Sequence, residues 1–254
     1  MDVVLLFPGQ GSQKPGMGHD LAAAFPEARA VFDRVDHTLG VPLSRLCFDG
    51  PAEELTLTQN AQPALLAHGA AVWAVIKTRV EARVRAAAGH SLGEFTAYHA
   101  AGSLSLDTAV RLVRRRGELM YESGVRRPGA MAAILGDMRQ LIETVCAAAT
   151  AEAGLVVPAN FNSPGQVVIS GEAAGVERAM ELCRDAGARR AVRLPVSGAF
   201  HSPLMDDAED GLRSALADAE IQPPAFPVYA NVTGEAVTDA EHARFLLLEQ
   251  LTNP

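Results

Sequence analysis

The sequence predicts an α/β protein in which a small βαββαβ domain, the ferredoxin-like arrangement, is inserted into a larger α/β domain. Three observations point there. The chain opens on a short apolar run, Val3 to Phe7, ended by Pro8 and Gly9, which is how a buried parallel strand reads. A second strand candidate, Arg85 to Ala88, runs through Gly89 directly into helix-forming sequence. Between Gly129 and Pro195 the pattern changes, and apolar runs alternate with helical periods in the order βαββαβ.

Taken in order, the first strand is followed by a glycine-rich loop. Helical periodicity then runs from Glu27 to Leu39, closed by Gly40 as a carboxyl-terminal cap, and again from Ala61 to Val80. From Asp107 to Tyr121 the apolar positions Ala109, Leu112, Val113, Leu119 and Met120 mark the inward face of a further helix. In the small domain Met131 to Leu135 reads as a strand and Met138 to Ala149 as a helix. Leu155 to Asn160 and Gln166 to Ser170 then form a hairpin around Ser163-Pro164-Gly165. Val176 to Ala186 is a second helix and Ala191 to Leu194 a last strand. Helical pattern resumes after His201 and from Asp239 to Leu251, with an extended run at Phe226 to Ala230 between them. The expected division is residues 1–126 with 198–254 for the large domain and 127–197 for the small one.

Composition sets bounds on function. With 254 residues, 48% hydrophobic and 20% charged, the chain can bury the core of a large and a small domain. Only 5% of residues are aromatic, so that core rests on small and branched aliphatic side chains. A formal net charge of -8 argues against a nucleic-acid partner, which needs clustered Lys and Arg. The three cysteines, Cys47, Cys146 and Cys183, fit neither a disulfide framework nor a zinc site and read as reduced core residues. No metal is expected. The amino-terminal run carries no basic leader and is too short for a secretory signal or a membrane span, so a cytoplasmic protein with no membrane association is expected.

Gly89-His90-Ser91-Leu92-Gly93 matches G-x-S-x-G, in which a serine sits on a tight strand-to-helix turn. The glycines are needed because a Cβ at either position would collide with the neighbouring strand or helix. Small residues before the motif and Glu94-Phe95-Thr96-Ala97-Tyr98 after it supply the strand and helix that it requires, so Ser91 is the candidate nucleophile. A serine hydroxyl needs a base at neutral pH. Of the seven histidines, His90 neighbours Ser91 on the turn itself and should point away from the hydroxyl. His201 follows Ser197-Gly198-Ala199-Phe200 after a strand and precedes a helix, where sites are assembled. From the residues alone it reads equally as a base or as a helix-capping histidine.

Arg116 lies three residues after Val113 and four before Met120, on the apolar stripe of its helix, so its guanidinium should be directed inward and must find an anion. That anion is either a carboxylate of the protein or the carboxylate of a substrate held by two parallel hydrogen bonds. The loop Phe7-Pro8-Gly9-Gln10-Gly11-Ser12-Gln13 is not a phosphate loop: it lacks the third glycine of a dinucleotide fingerprint and offers no G-x-x-x-x-G-K-[ST]. A rigid turn of backbone N–H groups fits an oxyanion hole better, with Gln10 N–H and Leu92 N–H as the pair.

Together, this loop, Gly89-His90-Ser91-Leu92-Gly93-Glu94, Arg116-Gly117, Asn160-Phe161-Asn162-Ser163-Pro164-Gly165-Gln166 and Gly198-Ala199-Phe200-His201-Ser202 resemble the malonyl-CoA:acyl carrier protein transacylases of fatty-acid and polyketide synthesis. The motifs occur in the family's order. The resemblance implies a large domain related to α/β hydrolases carrying Ser91 and His201, with the ferredoxin-like domain closing over the cleft. It implies that Arg116 grips the malonyl carboxylate and that a backbone carbonyl, that of Gln250, orients His201 in place of an acidic residue. Phe200 matches the malonyl-selective form, in which a bulky ring leaves little room for an α-methyl branch, and Met120 and Asn160 join it as substrate contacts. The implied partners are malonyl-CoA and an acyl carrier protein, with a monomer as default. No cofactor is implied, since coenzyme A thioester is a substrate. An acidic carrier would need a local basic surface, for which Arg126, Arg127, Arg189, Arg190 and Arg193 are the candidates. The sequence departs from the family at Lys77 to Val84, which is shorter, and at Thr252-Asn253-Pro254, beyond which the family continues with a helix and a Gly-Pro-Gly strand.

Overall fold

The computed structural model describes residues 1–196 and 198–254; Ser197, which the sequence places in the loop before His201 and at the end of the small domain, lies outside the described residues. The chain packs as two compact units, one of Met1–Glu118 with Leu212–Leu248 and one of Leu119–Gly211 with Glu249–Pro254.

The first unit opens with strand β1 (Val3–Phe7), then the short helix α1 (His19–Ala24), helix α2 (Pro26–Leu39), α3 (Leu43–Asp49), α4 (Ala52–Thr56) and the long α5 (Thr58–Val80). Strand β2 (Val84–Gly89) turns at once into α6 (Leu92–Ala100), and α7 (Leu106–Arg126) follows. β2 pairs in parallel with β1, in a register that sets Phe7 opposite Gly89, and in parallel with a late strand, β7 (Val228–Tyr229). The last strand, β8 (Ala236–Val237), adds antiparallel to β7, giving the order β1-β2-β7-β8. Helix α11 (Ala240–Glu249) ends the described helices, two residues before the expected Leu251. The helices α1, α3 and α4 and the two-residue β8 carried no readable period, being too short to show one.

Helix α5 begins at Thr58, three residues before the expected start, and so holds Pro63 in its sixth position rather than in the first turn, where proline is at home. Proline lacks the N–H that would bond the carbonyl four residues earlier. That carbonyl, Gln59 O, takes its hydrogen bond from Arg114 Nη1 on α7 at 3.0 Å, and the same nitrogen donates to Asn60 Oδ1 at 2.7 Å. The crossing of α5 and α7 is close because residue 117 is glycine: a Cβ there would stand 2.7 Å from both Gln59 Cα and Thr58 O. Arg116, between Arg114 and Gly117, is thereby set against the start of α5.

The second unit is built on β3 (Ala130–Leu135), α8 (Ile142–Ala153), β4 (Val156–Ser163), β5 (Gln166–Gly171), α9 (Ala173–Asp185) and β6 (Arg190–Arg193), in the expected βαββαβ order. The sheet is antiparallel with order β4-β5-β3-β6. The alternating residues Ala130, Ala132 and Ile134 of β3 pack with Val145, Cys146 and Ala149 of α8 and Val176, Ala179 and Cys183 of α9 in one core. The fold is the α/β-hydrolase-like large domain with a ferredoxin-like small domain. Helix α10 (Asp206–Ala217) follows a 3-10 turn at Pro203–Met205.

Several boundaries in this unit move, among them the start of α9, at Ala173 rather than Val176. The helix expected over Met138–Ala149 runs instead over Ile142–Ala153, because Met138–Leu141 is tied down as a loop: Arg139 N donates to Ala186 O at 2.9 Å and Arg139 Nη2 to Asp185 O at 2.8 Å. The hairpin strands reach to Ser163 and start again at Gln166, so Phe161, Asn162 and Ser163 are strand rather than turn, with register irregularities that absorb the bends. The three cysteines are buried and unbridged, and burial pushes the thiols of Cys47 and Cys146 up to about 12. Among the described residues no helix is long and apolar enough to cross a membrane.

Candidate active site

The first unit gathers Ser91, Leu92, Gln10 and Arg116. Strand β2 delivers Gly89, and three residues later α6 starts at Leu92, so Ser91, with only His90 between it and the strand, must take the bend. It does so at φ 51 and ψ -111, a conformation that costs a residue with a side chain about 1–3 kcal/mol and persists only when its surroundings enforce it. A Cβ on Gly89 would lie 2.0 Å from the carbonyl of Gly93, and one on Gly93 would lie 2.4 Å from Phe7 O. The absence of both atoms lets β2, α6 and the end of β1 press together around the bend. His90 N donates to Phe7 O at 3.0 Å and Gly93 N to His90 O at 2.9 Å, closing the turn. Asn231, just after β7, completes it: its Oδ1 accepts from Ser91 N at 2.7 Å and its Nδ2 donates to Gly89 O at 2.7 Å.

Arg116 is buried, 1% exposed, and its guanidinium reaches Ser91: Nη2 donates to Ser91 Oγ at 3.0 Å while Nη1 donates to Gln62 Oε1 at 2.8 Å. The guanidinium also lies 5.7 Å from the centre of the Phe95 ring, within cation–π range. Burial pulls its pKa down to about 10, against the opposing effect of the buried Glu94 carboxylate, and it stays charged at neutral pH. Gln62 is itself oriented, since its Nε2 donates to Thr58 Oγ1 at 3.0 Å and Thr58 Oγ1 donates to Gln10 Oε1 at 2.9 Å. A continuous chain of hydrogen bonds thus ties the cation to the amino-terminal loop. That loop is stiffened from within by Ser12 Oγ donating to Gly9 O (2.8 Å) and Gly11 N donating to Gln13 Oε1 (2.7 Å). Leu92 N–H is the first amide of α6, where no intrahelical acceptor exists and the helix dipole favours negative charge.

The second unit carries His201, Phe200, Met120, Asn160 and Gln250. His201 also takes a positive φ, 55. Its Nδ1 lies 2.7 Å from Gln250 O. A carbonyl can only accept, so Nδ1 carries the proton and Nε2 is the basic nitrogen. The turn is pinned by Ser202, whose Oγ donates to Ala199 O at 2.6 Å and accepts from Leu204 N, and by Ser123 Oγ donating to Leu204 O at 3.0 Å. Phe200 and Met120 are buried, and Asn160 is half-buried in β4 opposite Val168. Among the described residues no three His, Cys, Asp or Glu side chains are grouped as metal ligands would be.

Sequence reasoning missed Gln62, Thr58, Glu94 and Asn231. Gln62 carries a readable signal, a polar residue inside the mostly apolar run from Ala61 to Ala71, and Glu94 could have been suspected as the one acidic residue of the helical stretch Leu92–Ala100. Asn231 gives no such sign.

Comparison with known proteins follows the same lines. The acyl transferase domain family matches residues 4–247. A malonyl CoA-acyl carrier protein transacylase of Bacillus subtilis is 48% identical over 254 residues, covering 99% of this chain and 79% of that protein. Among solved structures, an acyl-carrier-protein S-malonyltransferase from Bartonella henselae superposes with a TM-score of 0.94 at 45% identity, over 100% of this chain and 81% of that one. A malonyl-transacylase solved in complex with its type II polyketide acyl-carrier protein gives a TM-score of 0.94 at 43% identity, over 100% of this chain and 82% of that one.

Proposed function

The chain belongs to the malonyl CoA-acyl carrier protein transacylase family, and from that premise we propose that it moves a malonyl group from coenzyme A to the phosphopantetheine thiol of an acyl carrier protein, in fatty-acid synthesis, through an ester on Ser91. One observation carries the reading: a buried, charged guanidinium within hydrogen-bond reach of the nucleophilic oxygen, Arg116 Nη2 to Ser91 Oγ at 3.0 Å. In a malonyl thioester a single methylene separates the reacting carbonyl from the carboxylate. A cation beside the nucleophile is therefore matched to this short diacid, while an acetyl group would leave the buried charge without its anion.

The reaction proceeds in two balanced steps. His201 Nε2 takes the proton as Ser91 Oγ bonds to the thioester carbon, and the amides of Gln10 and Leu92 hold the oxyanion. The carbon–sulfur bond breaks, and coenzyme A leaves as the thiol with the proton from His201. The carrier's thiol then repeats the attack on the ester and regenerates Ser91. Gln250 O keeps His201 in the tautomer this requires, and Phe200, Met120 and Asn160 line the acyl group. No resident cofactor enters, because coenzyme A arrives and departs as substrate and product. We take the large domain to be residues 1–126 and 198–254 and the small domain to be 127–197.

For the acidic carrier, Arg127 and Arg193 are already committed to ion pairs with Asp207 and Glu177, each at 2.9 Å. The exposed Arg126, Arg189 and Arg190 are the better docking groups. We take the enzyme to be a cytoplasmic monomer.

The test is release of coenzyme A from malonyl-CoA and from acetyl-CoA, each with and without holo carrier protein. The proposal expects turnover that depends on the carrier and favours malonyl. Release at the same rate without the carrier would make the chain a thioesterase, and equal rates for the two acyl groups would remove Arg116 from its role.

A further inference from the structure

Beyond the nucleophile, base and carboxylate-binding arginine, the way Ser91 is held points to one more residue in the reaction. The parallel ladder between β2 and β7 pairs Ala87 with Val228 and Ala88 with Tyr229 and ends there. At the next step β2 bends away into the turn, and backbone can no longer meet backbone. The side chain of Asn231 takes over: Oδ1 accepts from Ser91 N and Nδ2 donates to Gly89 O, both at 2.7 Å. One planar amide thus spans both sides of His90, satisfying the last carbonyl of the strand and the amide of the nucleophile. The backbone N–H of Asn231 donates in turn to Glu94 Oε2 at 3.0 Å, and Glu94 is wholly buried on α6, three residues beyond Ser91. The loop carrying Asn231 is closed on itself by Ala230 N to Glu235 O (3.0 Å) and Gly234 N to Ala230 O (2.9 Å).

We infer that Asn231 is a positioning residue for catalysis, which holds Ser91 in its left-handed backbone conformation and so fixes where the hydroxyl stands. The inference rests on the reading of Ser91 as the nucleophile. Its chemistry is specific: the site needs one donor and one acceptor in a fixed plane. An aspartate of the same shape keeps the acceptor for Ser91 N and sets a second acceptor against Gly89 O, whereas a leucine of similar volume supplies neither. Without the clamp the Ser91 amide and the Gly89 carbonyl must find other partners, and φ at residue 91 relaxes towards negative values. A shift of an ångström in the hydroxyl is enough to cost catalysis about 100-fold without touching substrate affinity.

The experiment compares the parent enzyme with Asn231→Asp and Asn231→Leu by two readouts: kcat and KM for malonyl transfer, and the rate at which a fluorophosphonate probe labels Ser91. The probe needs the nucleophile but has no carboxylate for Arg116. The inference expects kcat and the labelling rate to fall together, by about 10-fold to 100-fold in Asn231→Leu and less in Asn231→Asp, with KM within about twofold of the parent. Should the leucine variant fail to fold, the aspartate variant decides alone. Labelling rates equal to the parent's, or a raised KM at unchanged kcat, overturn the inference. If the parent takes no label at Ser91, the reading beneath it fails instead.

Discussion

Among the described residues two other than glycine hold a positive φ, Ser91 at 51 and His201 at 55, and close backbone packing matters at the first but not at the second. Besides the Asn231 clamp, the serine bend depends on missing atoms: Gly89 and Gly93 allow backbone to lie where a Cβ would overlap it, at 2.0 and 2.4 Å. The histidine turn depends on polar atoms that are present, the hydroxyls of Ser202 and Ser123 and the carbonyl of Gln250. The first is an arrangement of close-packed backbone, so it fails abruptly when anything is added. The second is a set of separate hydrogen bonds and should weaken one bond at a time. In each, the strain falls on a residue assigned to the chemistry.

The largest effect should come from adding one carbon at the bend. Gly93→Ala pushes a methyl against Phe7 O and is expected to lower stability by about 3 kcal/mol, visible in urea denaturation, with malonyl transfer essentially lost; a variant of parental stability and activity would show that the contact is not tight. Next is Arg116→Ala, which should reduce kcat/KM for malonyl-CoA by roughly 100-fold while acetyl-CoA is affected far less. Because burial lowers the guanidinium's pKa only to about 10, the charged form prevails below that value. Malonyl preference should therefore hold flat across the neutral range and decline only as pH rises through about 10. A preference that titrates near neutrality would assign the selectivity to another group.

At the histidine turn, Ser202→Ala removes one clamp and should cost about 1 kcal/mol of stability, read as a lower thermal midpoint, together with a several-fold loss of kcat. A loss as complete as that at the glycine would erase the contrast between the two sites. The smallest effect is expected of Gln250→Ala, since the acceptor for His201 Nδ1 is the backbone carbonyl and survives the change. Its kcat should stay within about twofold of the parent, and a collapse would mean that the side chain, not the carbonyl, orients the imidazole.

The same contrast explains what could be read from the sequence. Local patterns were legible: the strand–turn–helix around Ser91, the βαββαβ order of the small domain, and the inward position of Arg116 follow from spacings within a few residues. Partnerships across the chain were not. Gln62 meets Arg116 from 54 residues away and Asn231 meets Ser91 from 140, contacts fixed by how α5 crosses α7 and where β7 joins the sheet. The start of α8 was misplaced for a similar reason, since Arg139 is drawn out of helix by the end of α9. Periodicity reports one element's face and says nothing of a bond that another element imposes.

Whether Ser91 carries the malonyl group can be read from intact-mass measurement. After brief exposure to malonyl-CoA, the enzyme should gain the mass of one malonyl group, mapped by peptide analysis to Ser91, absent in Ser91→Ala and discharged on adding holo carrier protein. A malonyl adduct that forms equally in Ser91→Ala, or no adduct under conditions in which the carrier becomes malonylated, would contradict a malonyl ester on Ser91.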